Sequence, residues 1–360
     1  MPDIKKIYYF ASTHWDREWH KTFQGFRFVL VSRINEIIDV LEKDPSFTTF
    51  IMDGQTIVLE DYCEIEPDKK EKLMKLIRDG RIVVGPWYTM PDEFLVSGES
   101  LIRNLMIGHS LAEAYGGSAM KYGYICDIFG HIAQMPQILN GFNIKGALLG
   151  RGTNYHNCPA FFIWESPDGS RCITFKVPEE MGYATFWYDV YEPCQFGRDQ
   201  DKENIIKRAC SYVDKERKRS DVPFVVLMDG MDHERIHALA PWVASRLSEI
   251  YGCPVVFENM ENLVKELREY TDKMPVKRGE LNETAKMPSN HNMLITNTVS
   301  SRYDLKKEND TCQILLEKWM LPMMALGELN GFGIQKTYID IAYKYLIKCH
   351  AHDSICGCSI

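Results

Sequence analysis

Short apolar runs alternate with longer amphipathic stretches over much of the chain. Seven runs have the length and the β-branched or aromatic content of strands, at residues 7–11, 47–52, 81–85, 122–125, 146–149, 172–175 and 223–228. Between them, apolar residues recur at helical spacing, at residues 26–43, 67–79, 97–115, 135–142 and 201–219. This alternation is typical of βα units around a mostly parallel sheet, and seven strands are enough to close a barrel.

The pattern changes near residue 258. The later elements are a last strand candidate, a helix, a connection rich in Pro, Asn and Gly, and two long helices, at residues 254–257, 259–271, 274–301, 304–327 and 336–348. We therefore expect an α/β fold in which residues 1–258 form a distorted seven-stranded parallel β/α barrel. Residues 259–360 are expected to form a helical domain that is similar to a three-helix bundle.

Composition excludes several classes of protein. A chain of 360 residues that is 45% hydrophobic and 26% charged is typical of a soluble globular protein with a large core. Its 42 basic and 50 acidic side chains give a net charge of −8. The sequence has no run of Lys and Arg with interleaved aromatic residues that could bind along a phosphate backbone, so nucleic acid is not an expected partner. No segment approaches the ~20 apolar residues of a membrane span. We expect a cytoplasmic protein with no membrane partner, and homo-oligomerisation stays open.

The cysteines favour reduced thiols. All 11 are scattered at irregular spacings in a chain too large to need disulfides for stability. Cys349, Cys356 and Cys358 lie beside two histidines, so a zinc site of cysteines is one alternative there. The spacing lacks a Cys-x-x-Cys pair, which makes this alternative weaker than the site developed next.

The most informative segment is His14-Trp15-Asp16-Arg17-Glu18-Trp19, directly after the first predicted strand. Side chains alternate in an extended backbone, so His14 and Asp16 share one face. The carboxyl end of a strand is where α/β folds place their sites, and an imidazole beside a carboxylate suggests half of a metal site. The alternative is that His14 caps a core while Asp16 pairs with Arg17 or Arg33.

Three further groups of reactive residues lie where predicted elements end. Asp127 follows the strand at residues 122–125, where a carboxylate could face a sugar ring or a metal, or could cap the next helix. Residues 229–234 follow the strand at 223–228 and hold carboxylates and a histidine, suited to acid/base chemistry or simply solvated. Residues 350–353 end a helix, where alternate histidines are often dipole partners.

Taken in order, these segments resemble glycoside hydrolase family 38, the α-mannosidases. The resemblance covers essentially the whole chain and depends on residues 14–19, 85–88, 91–93, 97–100, 127–131, 230–232, 300–302 and 352–357. The His-Trp-Asp-Arg-Glu-Trp form is similar to the bacterial, intracellular branch. Members of this family are longer and continue into β-sandwich domains, so we expect the present chain to be an N-terminal portion.

The resemblance implies a metal site. One divalent ion would be bound by His14, Asp16, Asp127 and His352. Two imidazoles and two carboxylates suit Zn²⁺, although Mn²⁺ or Co²⁺ can also occupy such a set. Where many members have a second histidine, this chain has Ala351, so His350 stays unassigned.

The resemblance also implies the reaction. Asp127 would be the nucleophile and Asp232 the general acid and base, and the sugar would contact Trp19, Phe129, Arg151 and Asp353. We expect a metal-dependent retaining hydrolysis of terminal α-linked mannose, from a mannose-containing oligosaccharide or a small mannoside. Two alternatives stay open. A metal-dependent carbohydrate deacetylase would not need Asp232, and a non-catalytic sugar-binding fragment is expected if further C-terminal domains are required to complete the pocket.

Overall fold

The computed structural model describes residues 3–195, 201–286, 293–333 and 335–360. Residues 287–292, inside the predicted connection at 274–301, lie outside the described residues. The strands are β1 Lys6–Thr13, β2 Phe50–Met52, β3 Ile82–Val83, β4 Gly123–Ile125, β5 Gly146–Leu149, β6 Phe161–Glu165, β7 Arg171–Lys176, β8 Phe224–Asp229, β9 Val255–Val256 and β10 Val276–Arg278.

The helices account for most of the remaining chain. The α-helices are α1 Phe23–Lys43, α2 Ile57–Cys63, α3 Lys70–Arg78, α4 Gly98–Ala114, α5 Met135–Gly141, α6 Glu192–Gln195, α7 Lys202–Glu216, α8 Ala240–Tyr251, α9 Met260–Leu267, α10 Tyr303–Ile314, α11 Leu321–Leu329, α12 Lys336–Lys348 and α13 His352–Cys356. Short 3₁₀ segments lie at Pro67–Lys69, Gly182–Ala184, Arg217–Arg219, Arg268–Lys273 and Thr296–Val299, and π-helical segments at Trp187–Tyr191 and Leu315–Met320. None of the helices in these described parts combines the length and the apolar character needed to cross a bilayer.

The strands form two five-stranded sheets. The first has the order β3-β2-β1-β8, with β9 also paired to β1, and the second has the order β10-β6-β7-β5-β4. Every ladder is parallel except that between β6 and β7. The expected α/β class with mostly parallel strands is therefore confirmed.

The closed seven-stranded barrel and the three-helix bundle are not confirmed. Within the described residues no ladder joins the two sheets, and single main-chain hydrogen bonds connect segments beside them. Met120 N donates to Val84 O at 2.9 Å beside β3 and β4, and Ala160 N donates to Arg219 O at 2.9 Å on the other side. The sequence analysis also missed β6 and β10, so the strand count was too low.

Strand β1 is buried on both faces, which explains its continuous apolar sequence. Ile7 and Tyr9 pack in the core shared with α1, whereas Tyr8 and Phe10 pack in the core between the two sheets. Full burial of such side chains stabilises the fold by about 1.5–3 kcal/mol each. The strand is held by β8 along residues 6–11 and by β2 at residues 12–13. Its carboxyl end therefore lies between the ends of two neighbouring strands.

The elements just after residue 258 lie against the α/β part. Strand β10 pairs with β6 through Val276 and Ile163, and Met260 and Leu263 of α9 are buried between the sheets. The domain boundary at residue 258 stays a prediction. Strand β10 and helix α9, which follow that position, pack with the sheet and the core of the preceding residues.

Gly108 allows α4 to approach the chain at Pro86 closely. A Cβ atom at Gly108 would lie 2.1 Å from Pro86 O, whereas one at Gly98 in the same helix would meet nothing within 4 Å. We expect Gly108→Ala to lower the free energy of unfolding by about 1–3 kcal/mol, because the helix must move away. Gly98→Ala is the matched control and should leave stability unchanged or slightly higher, since alanine favours helix. Urea denaturation measures both, and equal stability of the two variants would contradict this packing.

Candidate functional site

Four side chains from distant parts of the chain converge beyond the strand ends. His14 and Asp16 follow β1, Asp127 follows β4, and His352 begins α13. The Asp16 Oδ1 atom lies 2.9 Å from His14 Nε2 and 3.3 Å from His352 Nε2, and Asp127 Oδ2 lies 3.3 Å from His352 Nε2. One ligand atom from each of the four residues lies within 4.8 Å of all the others. We call these residues the four-residue group.

Several polar atoms of the four-residue group are buried without a hydrogen-bond partner. These atoms are His14 Nε2, Asp16 Oδ1 and His352 Nε2. Buried polar atoms are normally satisfied, so unpartnered atoms that face one another indicate a ligand between them. Two imidazole nitrogens and two carboxylates are a suitable donor set for a divalent transition metal, and the four residues therefore fit such an ion.

Asp53 orients the ring of His14. Its Oδ1 lies 3.0 Å from His14 Nδ1, and its Oδ2 accepts hydrogen bonds from Trp15 N at 2.7 Å and Gln55 Nε2 at 2.8 Å. An Nδ1–H that donates to Asp53 leaves the lone pair of Nε2 facing the four-residue group. The sequence analysis missed this residue. Its signal was an aspartate directly after a strand, followed by Gly54.

Arg151 fixes the carboxylate of Asp127. Its Nη1 donates to Asp127 Oδ1 and, at 2.6 Å, to the main-chain oxygen of the same residue. Burial alone would raise the pKa of Asp127, but the positive charges of Arg151 and of the two histidines lower it to about 2. The carboxylate is therefore ionised. Asp127 does not cap α5, which begins at Met135 after the N-cap residue Gln134.

A cavity of about 450 Å³ adjoins the four-residue group. Many of its lining residues were predicted site residues, namely Asp16, Trp19, Asp127, Phe129, Arg151, Asp232 and Asp353. His14 and His352 are not among the lining residues, but they lie beside Asp16 and Asp127, which are. The structure thus brings all the predicted site residues together, while their roles in binding and catalysis stay predictions.

Asp232 lines the cavity shortly after the end of β8. Its Oδ1 accepts a hydrogen bond from Tyr183 Oη at 2.5 Å, and its backbone forms a parallel bridge with His14. Burial raises the pKa of the Asp232 carboxyl to about 6, and the negative charges of Asp16 and Asp127 add to this rise. Among the carboxyls that line the cavity, Asp127 and Asp232 therefore have pKa values shifted in opposite directions.

Asp229 has a different environment although it is three positions away. Its carboxylate accepts a hydrogen bond from Tyr9 Oη at 2.6 Å and lies 2.7 Å from His237 Nδ1. It is not among the residues that line the cavity. The side chain braces the end of β8 rather than facing the space beside Asp232.

The two remaining histidines of the predicted loops do not join the four-residue group. His233 accepts a hydrogen bond from Asp16 N at 3.1 Å through Nε2, and burial lowers its pKa to about 4, so it is neutral. His350 Nε2 lies 2.6 Å from Asn309 Oδ1, and burial lowers its pKa to about 3. Both histidines support neighbouring chain segments.

Other lining residues were missed by the sequence analysis. They are Met181, Gly182, Tyr183, Ala184, Tyr188, Met231, Ile295, Thr298 and Cys358. Tyr183 is the most consequential because it donates to Asp232. It lies in the short segment Gly182–Ala184 between β7 and β8, where no repeat or motif in the sequence marks it.

With this geometry established, comparison with known proteins identifies the family. Residues 5–286 match the N-terminal domain of the glycosyl hydrolases of family 38. The chain belongs to glycosyl hydrolase family 38. The earlier resemblance is therefore confirmed, and the matched range contains the cavity residues from Asp16 to Asp232.

Several relatives match most of this chain. A protein of Halalkalibacterium halodurans named "Putative mannosylglycerate hydrolase" is 33% identical over 99% of this chain and 40% of its own length. Alpha-mannosidase G of Dictyostelium discoideum is 24% identical over 84% of this chain and 25% of its own. The crystal structure of an alpha-mannosidase from Enterococcus faecalis V583 has a TM-score of 0.87 at 29% identity, covering 99% of this chain and 39% of that one. The chain thus spans less than half the length of these relatives.

The geometry predicts how metal retention depends on Asp53. The protein should bind about one Zn²⁺ per chain through the four-residue group. His14→Ala should abolish binding, and Asp53→Asn should weaken it about 10- to 100-fold because the imidazole loses its orienting acceptor. Competition with a chromophoric chelator measures these affinities. Asp229→Asn is the matched control, since it removes a buried carboxylate that contacts Tyr9 and His237 instead. Full zinc occupancy in folded His14→Ala would refute the site.

Proposed function

We propose that this cavity hydrolyses terminal α-linked mannose residues with retention of configuration and with the help of a bound divalent ion. The observation that carries the proposal is the pairing of two carboxyls in one cavity, the ionised Asp127 and Asp232 with its raised pKa. Retaining glycosidases need such a pair, since one carboxylate must attack while the other must first carry a proton.

In the first half of the reaction, Asp127 attacks the anomeric carbon and Asp232 protonates the departing oxygen. Arg151 holds one oxygen of Asp127, which leaves the other directed toward the four-residue group and the cavity. In the second half, Asp232 accepts a proton from water as that water attacks the anomeric carbon and releases Asp127. The hydrogen bond from Tyr183 keeps the Asp232 carboxyl oriented in both steps.

The four-residue group would hold the ion through His14, Asp16, Asp127 and His352. When bound, a divalent ion supplies Lewis-acid stabilisation and a preference for adjacent cis hydroxyls, such as the axial 2-hydroxyl and the 3-hydroxyl of mannose. The remaining recognition comes from the chain itself. Trp19 and Phe129 offer apolar surface for the ring, and Asp353 offers a carboxyl that can accept hydrogen bonds from sugar hydroxyls.

The proposed substrates are α-mannosides of either oligosaccharides or small molecules. The relatives support mannose as the sugar because their names contain mannosylglycerate or alpha-mannosidase. Mannosylglycerate is therefore the first small substrate to test, beside aryl mannosides. The cytoplasmic location expected from the sequence stays a prediction, and homo-oligomerisation stays open.

The cavity favours a glycosidase over the two alternatives considered. A deacetylase that uses a metal-bound water needs no second catalytic carboxylate, whereas Asp232 lines this cavity beside Asp16 and Asp127. A non-catalytic sugar-binding site would also give no reason for two carboxyls with opposite pKa shifts.

The role of Asp232 predicts a dependence on the leaving group. Asp232→Ala should slow hydrolysis of natural mannosides by about 10²–10⁴-fold while sparing dinitrophenyl mannosides, whose leaving group needs no proton. Steady-state kinetics with both substrates measure the difference, and azide should restore turnover with retained configuration. Asp229→Ala is the control and should not show the pattern, because its carboxylate faces Tyr9 and His237. The reverse result would assign the acid to Asp229.

The role of Asp127 predicts a covalent intermediate. A 2-deoxy-2-fluoro or 5-fluoro mannosyl fluoride should label the peptide that contains Asp127, since the ring fluorine slows both steps while the good fluoride leaving group keeps the first step fast enough for the intermediate to accumulate. Peptide mapping by mass spectrometry locates the label. Labelling of Asp232 would reverse the two roles, and the absence of any label in a chain that hydrolyses mannosides would contradict the double displacement.

A further inference from the structure

A second cluster of reactive side chains lies at the edge of the cavity. The Cys356 and Cys358 sulfur atoms are 3.3 Å apart, and Cys358 Sγ donates to Asp353 Oδ1 at 2.9 Å. Cys358 is exposed and lines the cavity, while Cys356 is buried. The proposed reaction uses neither sulfur, so the pair needs a separate explanation.

The fold holds these two thiols together. Helix α13 ends at Cys356, and Gly357 follows with a φ of 88°, a left-handed conformation that turns the chain back. The Lys306 ammonium donates to the main-chain oxygens of Ile355 and Cys356 at 3.0 Å each. Arg302 Nη1 donates to Ser359 O at 2.9 Å on the other side of the turn. The turn is thus anchored before and after the cysteines.

We propose that Cys356 and Cys358 form a reversible disulfide that weakens sugar binding at Asp353. The inference rests on the proposed function for its consequence, since Asp353 is one of the residues assigned to the sugar. A metal is the competing occupant. Asp353, Cys356 and Cys358 offer ligand atoms within 4.8 Å of one another, so the test must separate a bound metal from the disulfide.

The oxidant in this reaction is a low-molecular-weight disulfide such as oxidised glutathione. The exposed Cys358 thiol loses its proton to water, and the resulting thiolate attacks one sulfur of that disulfide, which forms a mixed disulfide and releases one glutathione thiol. Cys356 then attacks Cys358 Sγ, which breaks the mixed disulfide and releases the second thiol. Two protein thiols are oxidised, one disulfide is reduced to two thiols, and the two protons pass to the leaving thiolates. A disulfide between Cys356 and Cys358 closes a small ring that spans only Gly357. Such a ring is strained, which makes the disulfide easy to reduce.

The consequence follows from the lost proton. In the reduced protein, the Cys358 thiol donates to Asp353 Oδ1, and the disulfide has no proton to donate. The sulfur would also move toward Cys356 and away from the carboxyl. Asp353 then loses the bond that orients it toward the cavity, and we expect the dissociation constant of a mannose-like inhibitor to rise about 3- to 10-fold.

The test uses the full chain with zinc in buffers of defined ratios of reduced and oxidised glutathione. Peptide mapping locates the disulfide, and calorimetry with deoxymannojirimycin measures the dissociation constant in each state. We expect a bond between Cys356 and Cys358, weaker inhibitor binding, and full reversal by dithiothreitol. Cys356→Ser should bind the inhibitor like the reduced protein at every ratio. Cys312→Ser, which removes another exposed thiol, should respond like the unaltered chain.

Each outcome decides the inference. A disulfide mapped elsewhere, a stable glutathione adduct at Cys358, or a response that survives Cys356→Ser would overturn it. A second zinc ion per chain that Cys356→Ser removes would show a metal site instead. The mapping does not depend on turnover: a chain that forms the disulfide and weakens inhibitor binding but hydrolyses no mannoside would contradict the proposed function alone. A chain that hydrolyses mannosides but forms no bond would contradict only this inference.

Discussion

The burial of charge in the four-residue group is the constraint on which the site depends. Asp16 is buried, and Asp127 lies beside it in the lining of the cavity. Two carboxylates in such a place require positive charge nearby. Burial would lower the pKa of His14, but the carboxylates of Asp53 and Asp16 raise it well above its ordinary value. Protons on the histidines and a divalent ion therefore compete for the same compensating role, because a histidine must lose its proton to bind metal.

This constraint also links parts of the fold that no strand ladder joins in the described residues. Strand β1 belongs to one sheet and β4 to the other, and no ladder joins them in the described residues. His14 and Asp16 follow the first strand, Asp127 follows the second, and His352 comes from the helical segment. An ion bound by all of them would fasten the two sheets and the helical segment at one point. Binding free energy gained there would appear as stability of the whole arrangement.

The sequence predicted those features that follow from local periodicity. The alternation around His14 and Asp16 placed both side chains on one face beyond β1, but the ordered resemblance to the family, and not local periodicity, joined them with Asp127 and His352. Strand β6 was missed although Phe161 to Trp164 form an apolar run like that of β1, and no local pattern shows its antiparallel pairing with β7. Tyr183 was missed for a different reason. Its contact with Asp232 joins residues that are distant in sequence, and no local pattern encodes such a contact.

Three aspartates show why residue type alone could not assign the roles. Asp127, Asp229 and Asp232 all follow apolar strands, and all are shielded from solvent to a large extent. Asp127 faces Arg151 and two imidazoles, which favour its charged form. Asp232 is buried near the carboxylates of Asp16 and Asp127, which favours its neutral form against the opposing effect of the hydrogen bond from Tyr183. Asp229 points away from both, toward Tyr9 and His237. A nucleophile must be charged and an acid must be protonated, so the division of labour is set by which neighbours the fold brings to each carboxyl.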